Sequence, residues 1–107
     1  MPQSTRFEIH AYGDQALSHS HRHHQIVLPL EGVLQMEIGS TGGVVDGAAA
    51  AAITSGFEHS LVSDNPNRFL VIDLPERDQR FWEVTAAVPF VSLDPDLIGF
   101  CRVYAAR

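Results

Sequence analysis

Four residues in this chain have the types and spacing to grip one metal ion: His19, His21, Gln25 and His59. His19, His21 and Gln25 occupy alternate positions, so an extended backbone puts all three side chains on one face. Two imidazoles at that spacing offer neutral nitrogens to a single divalent ion, and Gln25 adds a carbonyl oxygen. His59 follows a turn and opens an apolar run, where it can bring a third imidazole from a distant strand. Imidazoles favour transition metals over magnesium and calcium, which prefer oxygen. The candidates are zinc, nickel, iron, manganese or copper. The alternative is a pocket lined by histidines with no metal in it.

The chain has six histidines, and four of them, His19, His21, His23 and His24, lie within one short stretch. His23 shares the face of His21 only if the strand continues unbroken, and His24 points the other way. Both are expected at the pocket rim or in solvent, and His10 on a strand surface. Glu31 and Glu37 flank a turn and are expected to be solvated. The chain contains no Gly-x-Ser-x-Gly, phosphate-cradling glycine loop or Cys-x-x-Cys. No catalytic residue is therefore assigned, and any catalysis would run through a metal at the histidines.

Such a site needs strands to hold it. Residues 6–12 read as a strand with Phe7 and Ile9 on one face. Residues 25–30 read as another, interrupted by Pro29, which suggests an edge or a bulge. Residues 33–38 alternate cleanly, with Leu34, Met36 and Ile38 on one face. Residues 39–43 read as a loop and Val44-Val45 as a short strand. The alanines of 48–52 favour helix by propensity, but the run is short and bracketed by turn residues, so a strand is expected. Residues 59–63 and 68–74 are two more strands. After Pro75 the pattern becomes helical over 76–87. It does so again from Asp94-Pro95, a good N-cap and first position, with Leu97, Ile98, Cys101, Tyr104 and Ala105 in one stripe. Of the aromatics Phe57, Phe69, Phe81, Trp82 and Phe90, more are expected in the core than lining a pocket. The expectation is one domain over 1–107: an all-β antiparallel barrel or sandwich over about 6–74, then one or two helices over 76–107.

Composition narrows the partners. The chain has 107 residues, 45% hydrophobic and 19% charged, ordinary values for a single globular domain. Its formal net charge is −6, which gives no general attraction to phosphates, so direct nucleic-acid binding is not expected. A lone cysteine, Cys101, allows no internal disulfide. Neither a signal segment nor an apolar run long enough for a bilayer is present, so a cytoplasmic location and no membrane partner are expected. The run 26–30 is apolar on both faces, which suggests a covered face. A homodimer through that run or through the C-terminal helix is expected.

The spacing also resembles a known pattern. Gly13, five residues, His19-Ser20-His21, three residues, Gln25, six residues and Gly32 follow the first motif of the cupin family, with glutamine where the family has glutamate. Gly47, six residues, Thr54-Ser55-Gly56, two residues, His59, three residues and Ser63 follow its second motif more loosely, with one residue inserted, Thr54 for proline and Ser63 for asparagine. The resemblance implies a β-barrel with one metal inside, held at His19, His21, Gln25 and His59. The missing charge at Gln25 implies weaker binding, which Gln25→Glu is expected to tighten. Two further runs, 23–32 and 67–75, resemble the N-terminal sensing domain of AraC-type transcription regulators, which are cupin barrels followed by dimerising helices. That implies a ligand-sensing and dimerisation module with a small-molecule ligand and without the DNA-binding half. The alternative is a small metal-dependent cupin enzyme of the oxygenase or isomerase type.

Overall fold

Antiparallel strands carry the chain through nearly all of its predicted barrel. A computed structural model describes residues 5–47, 49–77 and 88–94. In chain order the strands are β1 (Arg6–His10), β2 (Leu17–His19), β3 (His24–Glu31), β4 (Leu34–Ile38), β5 (Thr41–Val45), β6 (Ala49–Ile53), β7 (His59–Val62), β8 (Arg68–Leu74) and β9 (Phe90–Ser92). One sheet runs β1-β8-β3-β6-β9 and the other β2-β7-β4-β5. No helix occurs among the described residues.

Alternation decides which faces meet. In β4, Leu34, Met36 and Ile38 are buried and Gln35 and Glu37 exposed, the period of a half-buried strand. These inward residues, with Val45 and Leu61, meet Val27, Ala51, Ile53 and Phe69 of the facing sheet in one core. The five-stranded sheet is apolar on its other face too, where Leu28 and Ala50 are buried and Ile26, Leu70, Ile72 and Leu93 pack against them. The double apolar pattern of 26–30 thus reflects a strand covered on both sides. The alanines of β6 form a strand because the run is too short to nucleate a stable helix and its edges pair with β3 and β9.

Several expectations change. The loop expected over 39–43 is a two-residue turn, Gly39-Ser40, and the chain is back in β5 at Thr41. Gly39, at φ 59°, takes the first central position of a tight hairpin turn, where a positive φ suits glycine. Within β5, a Cβ on Gly43 would stand 2.6 Å from the ring of Phe90. The absent side chain is the space the β9 aromatic fills. β3 is not an edge, since it lies between β8 and β6. Pro29 is tolerated there because the ladder to β6 ends at Val27 and the β8 register shifts between Pro29 and Glu31, a bulge. The histidine-rich stretch is not one strand. β2 stops at His19, and β3 begins at His24 in the other sheet. Phe90–Ser92 is a strand within the C-terminal tail, between the two stretches expected to be helical. The expected helices, with Phe81, Trp82 and the stripe from Leu97 to Ala105, lie outside the described residues. Phe57 is exposed rather than core, whereas Phe69 is fully buried.

The motif positions without histidine do structural work at the turn before β8. Asn67, buried, accepts from the Tyr12 N–H at 2.8 Å and returns a bond from Nδ2 to the Tyr12 carbonyl at 2.8 Å. Ser63 donates from Oγ to the Val33 carbonyl at 2.6 Å, and its N–H to the Gly13 carbonyl at 3.0 Å. Gly32 packs against Pro66 and Asn67. Gly13, Gly32 and Ser63 are thereby tied to one turn, 63–67.

Candidate metal centre

The pairing of β2 with β7 sets His19 directly across from His59. Their rings meet edge to face with centroids 4.3 Å apart. His21 lies past the end of β2, in a loop held by the second motif. The Gly56 N–H donates to the His21 carbonyl at 2.7 Å. The His21 ring then stands 4.6 Å from His19 and 5.2 Å from His59. One nitrogen from each of His19, His21 and His59 lies within 4.8 Å of the others. Nitrogens bound to an ion at about 2.0–2.1 Å stand roughly 3.0–3.4 Å apart, so a small inward rotation of the rings completes a three-nitrogen set.

His59 is the most constrained of the three. The residue is 1% exposed. Nδ1 lies 3.2 Å from the Phe57 carbonyl, which only accepts, so Nδ1 carries the proton and donates. The lone pair is then on Nε2, which is buried with no hydrogen-bond partner. A backbone carbonyl that fixes the ring this way is the usual support behind a metal-binding imidazole. Burial, with smaller contributions from His19, His21 and His23 and against the Phe57 hydrogen bond, lowers the His59 pKa to about 4. Burial, then His19 and His23, also lowers that of His21, with Asp73 opposing. Both rings are therefore neutral donors at pH 7. The donor set fits a divalent transition metal.

The low pKa of His59 has a consequence for the metal-free protein. The unfolded ring takes up a proton below its ordinary value near 6.5, while the folded ring resists until about 4. More protons bind to the unfolded chain in that window, so stability falls as the pH drops from 6.5 to 4. At 1.36 kcal/mol per unit, discounted for solvent screening in a site that is partly open, the expected loss is about 2 kcal/mol. Denaturant unfolding of metal-free protein at pH 7 and pH 4.5 measures it, with His59→Leu as reference. Parallel pH dependence in the two proteins would rule this origin out.

Gln25 and His23 face a different partner. Gln25 donates from Nε2 to Asp73 Oδ1 at 2.9 Å. The His23 ring stacks on His21 at 4.8 Å, and its Nε2 lies 3.3 Å from the same Asp73 oxygen. His24 is not at a rim or in solvent, because it is 2% exposed. Its Nδ1 accepts the Ser55 N–H at 2.9 Å and its Nε2 reaches the Glu76 carbonyl at 3.2 Å. It pins β3 to the second-motif loop. Sequence reasoning missed Asp73. Its signal was a carboxylate that shares a face with Phe69 and Val71 in a strand that is otherwise apolar after Arg68. Thr54, at the family's proline position, has a buried hydroxyl without a partner.

No protein-family model and no curated protein matches the chain. Solved structures do. A cupin-2 domain protein from Shewanella frigidimarina matches with TM-score 0.57 at 17% identity, over 64% of this chain and 68% of that one. A putative ethanolamine utilization protein Q from Salmonella typhimurium matches with TM-score 0.61 at 16% identity, over 69% and 60%. Bacillus subtilis oxalate decarboxylase, a protein with Mn(II) centres, matches with TM-score 0.60 at 15% identity, over 67% of this chain and 21% of the enzyme. Two antiparallel sheets, the inward histidines and these three likenesses together give this chain the fold of the cupin-domain proteins.

Proposed function

We propose that this chain is a metal-binding cupin-type module, in which His19, His21 and His59 hold one divalent transition metal and a small-molecule ligand meets it at the remaining positions. The observation that carries this reading is His59 Nε2: a buried lone pair, fixed in tautomer, without a partner and beside two further imidazoles. An unsatisfied buried polar atom costs about 1–3 kcal/mol, and a bound metal removes that cost. When bound, such an ion polarises a ligand oxygen or lowers the pKa of a bound water. Gln25 is the fourth member of the proposed set, and its amide nitrogen donates to Asp73.

The role of the module divides into two readings. As a sensor, it serves an AraC-type regulator, with a small molecule and a second copy of the chain as partners. The two runs that carry that resemblance contain β3 and β8, paired neighbours in the five-stranded sheet. As an enzyme, it uses the same metal on a bound substrate.

Calorimetric titration of metal-free protein with zinc, nickel and cobalt tests the shared core of both. One equivalent per chain is expected, with no binding of magnesium. Absence of binding by all three would remove the metal reading. Iron or manganese retained stoichiometrically through purification, and lost in His21→Ala, favours the enzyme.

A further inference from the structure

We propose that Asp73 supplies the negative charge of this metal centre: the carboxylate that the cupin motif carries at position 25 stands one strand across, at the directly paired position on β8. The inference rests on the metal reading above and adds a residue to it.

Gln25 and Asp73 are partners in the β3–β8 ladder, so their side chains leave the sheet on the same face. That face also presents Val27 and Val71, both in the core. Gln25 Nε2 holds Asp73 Oδ1 at 2.9 Å. His23 Nε2 approaches the same oxygen at 3.3 Å, and the His23 ring lies flat on His21, one of the three ligands. Asp73 therefore stands one side chain, His23, behind a ligand of the centre. Its charge is felt at Tyr12, whose hydroxyl is pushed up to about 12 by burial and, to a smaller extent, by Asp73.

The placement is costly without a cation. The Asp73 side chain is only 22% exposed, and a largely buried carboxylate is stable when positive charge compensates it. The Gln25 amide gives it a hydrogen bond but no charge. A divalent ion on three neutral imidazoles has the complementary deficit, a net charge of two with no anion among its ligands. Asp73 is a positioning and charge-compensating residue, acting through His23.

This pairing also alters what Gln25→Glu should do. By itself that change sets two carboxylates face to face across β3 and β8, where like charges are destabilising. The informative variant exchanges the two groups: Gln25→Glu with Asp73→Asn.

The experiment is titration of metal-free wild type, Asp73→Asn and the exchange variant with nickel and cobalt. The cobalt absorption spectrum reports the ligand set, and thermal melts report the metal-free fold. Asp73→Asn is expected to weaken binding about 10-fold or more with its cobalt spectrum unchanged, the usual effect of losing a group behind the ligands. The exchange variant should recover to within about threefold of wild type. Equal binding by wild type and Asp73→Asn overturns the proposal and leaves the metal reading standing. No binding by wild type overturns both. If Asp73→Asn does not fold, the exchange variant decides, since it keeps one carboxylate and one amide in the same pair. Binding weaker than about threefold below wild type then overturns the proposal.

Discussion

Gly32→Ala is expected to destabilise the protein by about 3 kcal/mol. Two effects add. Gly32 has φ 88°, a left-handed conformation that costs an L-residue roughly 1–2 kcal/mol. A Cβ there would also stand 2.7 Å from the Pro66 carbonyl oxygen and 2.8 Å from the Asn67 Cβ. The first neighbour is backbone, and the second belongs to a side chain anchored at both ends to Tyr12. Neither can move aside cheaply, and overpacking of this kind costs roughly 1–3 kcal/mol. Against a total stability of about 5–15 kcal/mol, the loss is large. It should lower the melting temperature by roughly 12–20 °C. Gly13→Ala is the control. Gly13 belongs to the same motif but has nothing within 4 Å of its would-be Cβ, so a change within about 0.5 kcal/mol is expected. Equal melting temperatures for the two variants would show that the 63–67 turn yields, and that the clamp around Asn67 is weaker than its geometry implies.

His59→Leu should separate stability from binding. Metal affinity should drop roughly 100-fold or more, beyond the loss for a group behind the ligands, because one of three nitrogens is gone. The metal-free protein at pH 7 should nevertheless become more stable, by about 1 kcal/mol. Leucine fills a similar volume and leaves no orphaned nitrogen in a buried site, worth about 1–3 kcal/mol. The hydrogen bond to the Phe57 carbonyl is lost, which returns about 1 kcal/mol of that gain. A histidine kept for structure alone would behave in the opposite way, with its removal lowering stability and leaving metal titrations unaffected. Paired unfolding and calorimetric curves at pH 7 read both effects, and a destabilised variant with unchanged affinity would end the assignment of His59 as a ligand.

Much of the scaffold was legible because its strands obey one rule at a time. Arg68–Leu74 and Leu34–Ile38 alternate or run apolar between turn residues, and they appear where expected. The convergence of His19, His21 and His59 was legible through two spacings, although the strand assumed between His19 and Gln25 does not exist. His21 reaches the cluster because Gly56 holds its loop, a contact between segments that no local pattern encodes. The first half of β5 was hidden for the opposite reason. Glycine at 42 and 43 reads as a breaker, yet Gly43 is a strand position emptied to admit Phe90. His24 was misplaced because the period of a strand assigns a face but does not say whether that face is covered. Asp73 was overlooked because its meaning depends on Gln25, 48 positions away and next to it only in the folded sheet.

The order of strands in the two sheets also determines when the histidines can meet. Among the described residues, β4 and β5 are joined by a tight turn, whereas β1 pairs with β8, β3 with β6 and β8, and β2 with β7. Each of these distant pairings closes a long loop and loses chain entropy before any contact repays it. Folds dominated by such pairings form in roughly milliseconds to seconds. During that interval His19 and His21 are already neighbours in the chain and can chelate an ion as a loose pair. The third nitrogen arrives only when β7 docks beside β2. An ion captured early is therefore exchangeable, and the choice among competing metals falls to the finished barrel rather than to the emerging chain.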